Sequence, residues 1–215
     1  MQRSGVPSAN DPARRVLVAT RSAGKLRELR PIFAAVRIDV IDLNDAGIRE
    51  SSVEDDLETG ATFEENALLK ARHFHRVSGI PTVADDSGIE VVALGGAPGA
   101  HSKRWSGRSD LSGLALDDAN NALLLQKLER SDDRRAQYVC AAAYCGQGRE
   151  LVERGEVAGS ITRVPRGTNG FGYDPYFESA ELGRTFGEVS MEEKGTVSHR
   201  ARAFENLLRR ILPLR

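Results

Sequence analysis

The sequence predicts an α/β protein, and three observations carry that expectation. A short apolar run over residues 16–19 is followed by Leu26, Leu29, Ile32 and Phe33 at helical spacing. A second helical pattern, opening at Thr62, runs through Gly79-Ile80-Pro81 into the apolar Thr82-Val83-Ala84. Two long β-runs, residues 136–145 and 150–161, flank Gly148 and read as a hairpin in an antiparallel or mixed sheet.

Composition narrows the function. The 215 residues are 40% hydrophobic and 28% charged, ordinary for a globular chain, and the formal net charge is -1. No global field draws a nucleic-acid backbone, so a polymer-binding role is disfavoured. No apolar run approaches the ~20 residues that cross a bilayer. Cys140 and Cys145 are too few for a disulfide framework and lack neighbouring metal ligands; they read as reduced, buried thiols of a cytoplasmic protein. Residues 1–14 read as a disordered tail and residues 15–215 as one domain.

The first strand leads into Thr20, Arg21, Ser22, Ala23, Gly24 and Lys25, and a helix follows. Free backbone N–H groups at a helix start, with a lysine beside them, suit a phosphate. The glycine spacing of a Walker A loop is absent, and an ordinary strand-to-helix turn with a solvated lysine fits the pattern too. Residues 37–43 alternate as a strand. Residues 45–60 are acidic, in the manner of a solvated loop, with Glu58 set apart by the Thr59-Gly60 turn. Thr62-Phe63-Glu64-Glu65 is a capping box, which accounts for Glu65. Phe63, Ala67, Ala71, Phe74 and Ser78 line one face of this helix, and Asn66 and Lys70 project toward a cleft.

Residues 82–107 hold the densest chemistry. A short buried strand ends in Asp85 and Asp86, followed by Ser87-Gly88. Two adjacent carboxylates there repel and are costly to desolvate, which a metal ion or a proton-accepting role explains; a polar turn is the alternative. Gly95, Gly96 and Gly99 bring bare backbone close to a ligand, and Lys103, Arg104 and Arg108 supply positive charge. The combination suggests a phosphate-bearing ligand held through a hard metal ion.

Residues 110–129 form a helix with Leu114, Leu116, Leu123, Leu124 and Leu128 as core candidates; Asn120 and Asn121 carry no special signal. The glycine-rich residues 164–175 expose Phe171, Gly172 and Tyr173, ahead of Asp174, to stack on a planar base or to fold back into the core. Residues 186–193 read as irregular. Ser198 caps the last helix. His199 and Arg200, two potential cations, oppose the dipole of its first turn, and with Lys194 upstream they point to an anion or a hydrogen-bond acceptor on a ligand.

Taken in order, ATRSAGKLREL, ETGATFEENALLKA, ADDSGIEVVALGGAPGAHSKRWSG, PRGTNGFGYDPYF and EKGTVSHRARA resemble the Ham1/inosine triphosphate pyrophosphatase family, from residue 16 to the last helix. The resemblance implies a two-lobed fold with a long curved mixed sheet and a cleft between the lobes, usually in a homodimer. It implies Mg²⁺-dependent hydrolysis of ITP, dITP and XTP to the monophosphate and pyrophosphate. By matching position, Asp86 is the general base and a metal ligand, Glu58 the second metal ligand, and Ser87 a substrate contact. Thr20, Arg21, Ser22, Ala23, Gly24 and Lys25 match the triphosphate loop. Phe171, Gly172, Tyr173, Asp174, Lys194, His199 and Arg200 match the nucleotide- and base-binding positions. The chain departs from the family where Thr20-Arg21-Ser22 replaces Thr-Gly-Asn, and Gly195 stands where asparagine is common. A Maf-like diphosphatase for modified pyrimidine or 7-methylguanine nucleotides and a non-catalytic nucleotide-sensing module are the alternatives.

Overall fold

The computed structural model describes residues 15–212; the expected tail over residues 1–14 lies outside the described residues. The strands are β1 (Arg15–Val18), β2 (Asp39–Asp42), β3 (Thr82–Val91), β4 (Arg135–Gly146), β5 (Arg149–Ile161) and β6 (Phe177–Ser179). The helices are α1 (Ala23–Ala35), α2 (Phe63–Ser78), α3 (Gly113–Lys127), α4 (Met191–Val197) and α5 (His199–Ile211). A 3₁₀ segment, Ser52–Glu58, precedes α2, and another, Gly99–Arg104, follows β3.

The strands form one curled, mixed sheet in the order β2-β1-β3-β4-β5-β6. β1 is parallel to β2 and β3, and the remaining pairs are antiparallel. The β4–β5 hairpin turns through Gln147 and Gly148 at φ 51° and 69°. Positive φ at both central residues matches the twist of the flanking strands.

Alternation along the strands loads both faces of the sheet. On one face, Val18, Val83, Cys140 and Ala142 pack with Leu29 and Phe33 of α1 and Phe204 and Leu207 of α5. On the other, Ala84, Ala141 and Ala143 pack with Phe63, Ala67, Ala71 and Phe74 of α2. Ile89, Val91, Leu124, Tyr138, Phe177 and Phe186 build a third cluster, the core of a second lobe at the far end of β3–β5.

Several elements differ from their sequence reading. The third strand does not stop at Ala84; it continues through both aspartates to Val91. The second is limited to Asp39–Asp42, because Arg37 takes a positive φ of 58° that no strand accommodates. Helix α3 begins at Gly113 rather than 110, and Leu114 is 78% exposed instead of buried. Residues 191–197, at the end of an irregular-looking stretch, form α4 behind a Ser190–Glu193 capping box.

The glycines at 95, 96 and 99 do not make room for a ligand. A Cβ at any of them meets nothing within 4 Å, and their φ of 63°, 91° and 57° shows that they serve turns. Close approach occurs instead at Gly88. A Cβ there would lie 2.2 Å from Ser102 Oγ and 2.5 Å from the Gly99 carbonyl oxygen. Ser102 Oγ accepts from the Ile89 N–H at 2.8 Å and donates to the Gly99 carbonyl at 2.7 Å, so the 3₁₀ segment seals onto β3 at this point. Gly88→Ala should therefore lower stability by ~1–3 kcal/mol through overpacking. The check is thermal unfolding: an unchanged midpoint would show that the contact is not tight.

Candidate active site

The carboxylates of Asp85 and Asp86 do not confront each other. Consecutive residues of a strand point to opposite faces, so each carboxylate enters a different environment. Asp86 faces α2: its Oδ2 accepts from Asn66 Nδ2 at 3.1 Å and its Oδ1 from Lys70 Nζ at 3.2 Å. Asp85 faces α1 and α5, where its Oδ2 lies 3.0 Å from Lys25 Nζ and 3.2 Å from Arg200 Nε. Burial pushes the Asp85 carboxyl up, but the Lys25 and Arg200 charges prevail and hold it below the usual carboxylate range. The expected mutual repulsion is thus replaced by two separate ion pairs, one on each side of the sheet.

Around Asp86 the chain assembles an acid–base cluster. Lys70 Nζ donates to Glu58 Oε1 at 2.9 Å as well as to Asp86. Burial lowers the Lys70 ammonium, yet the Asp86 and Glu58 charges raise it overall, so it stays protonated. Glu58 ends its 3₁₀ segment, and Arg104 clasps it through the carboxylate at 3.0 Å and the main-chain carbonyl at 2.9 Å. Asn66 Oδ1 accepts from the Gly60 N–H at 2.7 Å, which ties the Glu58 segment to α2. Lys70 and Asn66 are thus the inward-facing pair expected from their helix positions, whereas Arg108 pairs with exposed Asp110 and stays outside.

On the opposite face a chain of alternating charges runs from α1 to α5. Arg200 Nη2 donates to Ser87 Oγ at 2.7 Å, and its Nη1 pairs with Glu28. Lys194 Nζ bridges Glu28 Oε1 at 2.7 Å and Asp174 Oδ2 at 2.6 Å. Glu28 carried no signal in the sequence beyond being a polar residue of α1. Its position one turn after Lys25 on that helix was the available hint. Burial raises its carboxyl, but the Arg200 and Lys194 charges outweigh that and bring it down to about 2. Its folded value lies below its ordinary value of 4.5, so the stability it contributes is complete above pH 4.5 and is lost as pH falls toward 2. That contribution is ~3 kcal/mol at neutral pH. Urea unfolding between pH 5 and pH 2.5 should show a steep loss in the wild type and a shallower one in Glu28→Gln; identical slopes would rule Glu28 out.

His199 is not a cation. It is 2% exposed and stacks on Tyr138 with ring centroids 4.6 Å apart. Burial, then Arg200 and Lys194, hold its imidazole well below the usual range, so it is neutral at pH 7. The charge of Arg200 in the first turn is matched by Glu28 and Asp85 rather than left to face the helix dipole. Tyr173 also departs from the exposed reading. It is 5% exposed, and its hydroxyl donates to the Ser102 carbonyl at 2.8 Å. Both aromatics line the cavity, but Phe171 is the one with cations over its ring, Lys194 Nζ 5.2 Å and Arg200 Cζ 5.8 Å from its centroid.

In the first loop, Ser22 is the N-cap of α1 and accepts from the Lys25 N–H, while Thr20 Oγ1 accepts from the Ser22 N–H. Arg21 reaches away to Glu54, with bonds of 3.0 Å and 2.7 Å, and to the Ile48 carbonyl. The acidic segment is therefore not wholly solvated, and Arg21 staples the loop to the segment that carries Glu58. Ala23 and Gly24 open the helix; a Cβ on Gly24 would lie 2.7 Å from the Phe171 ring. The two lobes touch at that point.

A cavity of about 430 Å³ joins these groups. Thr20, Arg21, Ser22, Lys25, Glu58, Lys70, Asp86, Ser87, Phe171, Gly172, Tyr173, Asp174, Lys194, His199 and Arg200 all line it. Asp85 does not; it braces Lys25 and Arg200 from behind. Five carboxylates of the described residues line the cavity: Glu54 pairs with Arg21, Asp174 with Lys194 and Asp117 with Lys103, while Asp86 and Glu58 share Lys70 and sit side by side. Among the described residues no cluster of three or more His, Cys, Asp or Glu side chains could hold a metal alone. Two hard carboxylates opening on a cavity nevertheless fit Mg²⁺, which commonly takes one or two carboxylates and completes its shell with water and substrate phosphates.

The Ham1 family model matches residues 16–210. A dITP/XTP pyrophosphatase of Syntrophobacter fumaroxidans is 47% identical over 195 residues, 90% of this chain and 80% of that protein. The solved Ham1 protein of Staphylococcus aureus superposes with a TM-score of 0.76 at 37% identity, covering 92% of this chain and 97% of that one. A nucleoside-triphosphatase / dITP/XTP pyrophosphatase of Mycobacterium abscessus gives 0.68 at 44% identity, covering 90% and 98%. With the family model spanning nearly the whole chain and solved Ham1 structures sharing its fold, the chain belongs to the Ham1 family.

Proposed function

We propose that this protein hydrolyses non-canonical purine nucleoside triphosphates, dITP/ITP and XTP, to the monophosphate and pyrophosphate, with Mg²⁺ as its metal. The observation that carries the reading is one cavity with an acidic pair at one place and cations with an aromatic ring at another. A triphosphate with a purine needs both. Asp86 and Glu58 would hold Mg²⁺, which when bound supplies Lewis-acid neutralisation of phosphate charge.

The chain's own residues do the rest. Asp86 takes the proton of the attacking water directed at the α-phosphorus. Asn66 and Lys70 hold its two oxygens in place and leave each oxygen a lone pair. Lys25 and the first-turn amides of α1, which lack intrahelical acceptors, take the phosphates, with Thr20, Arg21, Ser22, Ala23 and Gly24 shaping the loop and Ser87 at its margin. Phe171 stacks on the base, and Gly172, Tyr173, Asp174, Lys194, His199 and Arg200 frame it. Fixed donors at the base edge donate to the 6-oxo group of hypoxanthine and oppose the 6-amino donor of adenine, a mismatch worth ~10⁴-fold. We further propose that residues 15–215 work as one domain, in a cytoplasmic homodimer. Among the described residues no helix is long and apolar enough to cross a membrane, and both cysteines are free and buried.

The test is pyrophosphate release from ITP, XTP, dITP, GTP and ATP, with and without Mg²⁺. Mg²⁺-dependent release from the first three, with GTP and ATP far slower, is the expected result. Equal rates on all five would end the base-selection argument, and no release from any would end the hydrolytic one.

A further inference from the structure

We infer that Asp117 and Asn121 of α3 are positioning residues that hold the Phe171 platform against the base and take no part in the phosphate chemistry. This inference rests on the nucleotide reading above. Both polar groups of Gly172 are claimed by this one helix. The Gly172 N–H donates to Asp117 Oδ2 at 2.9 Å, and its carbonyl accepts from Asn121 Nδ2 at 2.9 Å. Positions 117 and 121 are one turn apart and share a face of α3.

The same face grips the other wall of the cavity. Asn120 Oδ1 accepts from the Ser106 N–H at 2.8 Å, and its Nδ2 donates to the Lys103 carbonyl at 3.1 Å. Asn120 and Asn121 are 2% and 5% exposed. Unpaired, such groups are costly, and pairing them fixes whatever they bind. At φ 64° with no side chain, Gly172 is held through these two backbone bonds. Phe171 precedes it directly, and its ring abuts Gly24 and lies beneath Lys194 and Arg200. None of the contacts of Asp117, Asn120 or Asn121 reaches Asp86, Glu58 or Lys70. Asp117 and Asn121 therefore act on the base end of the cavity through Gly172, whereas Asn120 holds the Lys103–Ser106 segment whose Arg104 clasps Glu58.

The experiment compares the wild type with Asp117→Ala, Asn121→Ala and Asp117→Asn, the last of which retains an acceptor for Gly172. Steady-state hydrolysis of ITP is measured, and binding of IMP and of pyrophosphate is measured separately by calorimetry. Losing one such bond should raise KM for ITP and weaken IMP binding about tenfold in each alanine variant. The expected companions are kcat within about twofold, unchanged pyrophosphate binding and near-wild-type behaviour of Asp117→Asn. A fall in kcat at constant KM, parallel weakening of IMP and pyrophosphate, or no change at all would overturn the inference. Should an alanine variant fail to fold, Asn121→Asp, which keeps the size but loses the donor, replaces it with the same expectation. A wild type that binds IMP without hydrolysing ITP would sink the hydrolytic reading and leave the platform test standing, whereas a wild type that binds neither would remove both.

Discussion

Asp86→Asn should cut kcat on ITP about a thousandfold or more while nucleotide binding stays measurable. The substitution keeps the shape and the hydrogen-bonding reach of the side chain but removes its charge and its capacity to take a proton. Its partners make the prediction sharp. Asn66 already donates to one oxygen and Lys70 to the other, so an amide NH₂ at position 86 must face a donor on one side. Lys70 then keeps only Glu58 as a carboxylate partner. Binding survives because Lys25, Phe171, Lys194 and Arg200 are untouched. Turnover and nucleotide affinity measured on one preparation decide the matter: near-normal turnover refutes the assignment, and loss of binding with turnover shows a collapsed site rather than a missing base.

The second large effect is on stability. Arg200→Met should destabilise the fold by ~3–5 kcal/mol, because it removes one of the two cations paired with each of the buried carboxylates Asp85 and Glu28. For a chain of this size that corresponds to a fall in melting temperature of about 10 °C. Arg200 is 2% exposed and touches Asp85, Glu28 and Ser87, residues drawn from β3 and α1, so its loss loosens three elements at once. Glu28 retains Lys194 and Asp85 retains Lys25, which is why the expected cost is that of one broken pair and not of complete unfolding. Thermal unfolding checks it, and a shift under 2 °C would mean that the network relaxes without penalty.

Much of this arrangement could be read from the chain. The alternation of strand and helix patterns, the Thr62 and Ser198 caps and the ends of the cavity were legible because local spacing encodes them. Glu58 and Phe171 carried visible signals because turn residues and glycines surround them, Asp86 because a carboxylate follows an apolar run, and Lys70 through its place on the polar side of an amphipathic helix. What stayed hidden depends on contacts between distant segments. The continuation of β3 through two aspartates is possible only because α2 supplies Asn66 and Lys70 to one face and α1 and α5 supply Lys25 and Arg200 to the other. Glu28 looks like any solvated helix glutamate until residues more than 160 positions away close over it. Asn120 and Asn121 look idle because their partners are backbone groups, which leave no trace in side-chain identity. His199 counts as a potential cation on paper and loses that status only through burial.

The β4 strand has a consequence beyond packing. Ala141, Ala142 and Ala143 are fully buried at its centre, and they separate the helix that carries Lys70 from the helix that carries Arg200. Alanine has no side-chain rotor, so the thickness of this layer is set by backbone and methyl groups alone. The strand therefore works as a fixed gauge: thermal motion can flex each wall of the cleft, but it has no hinge in this layer with which to change the spacing between them.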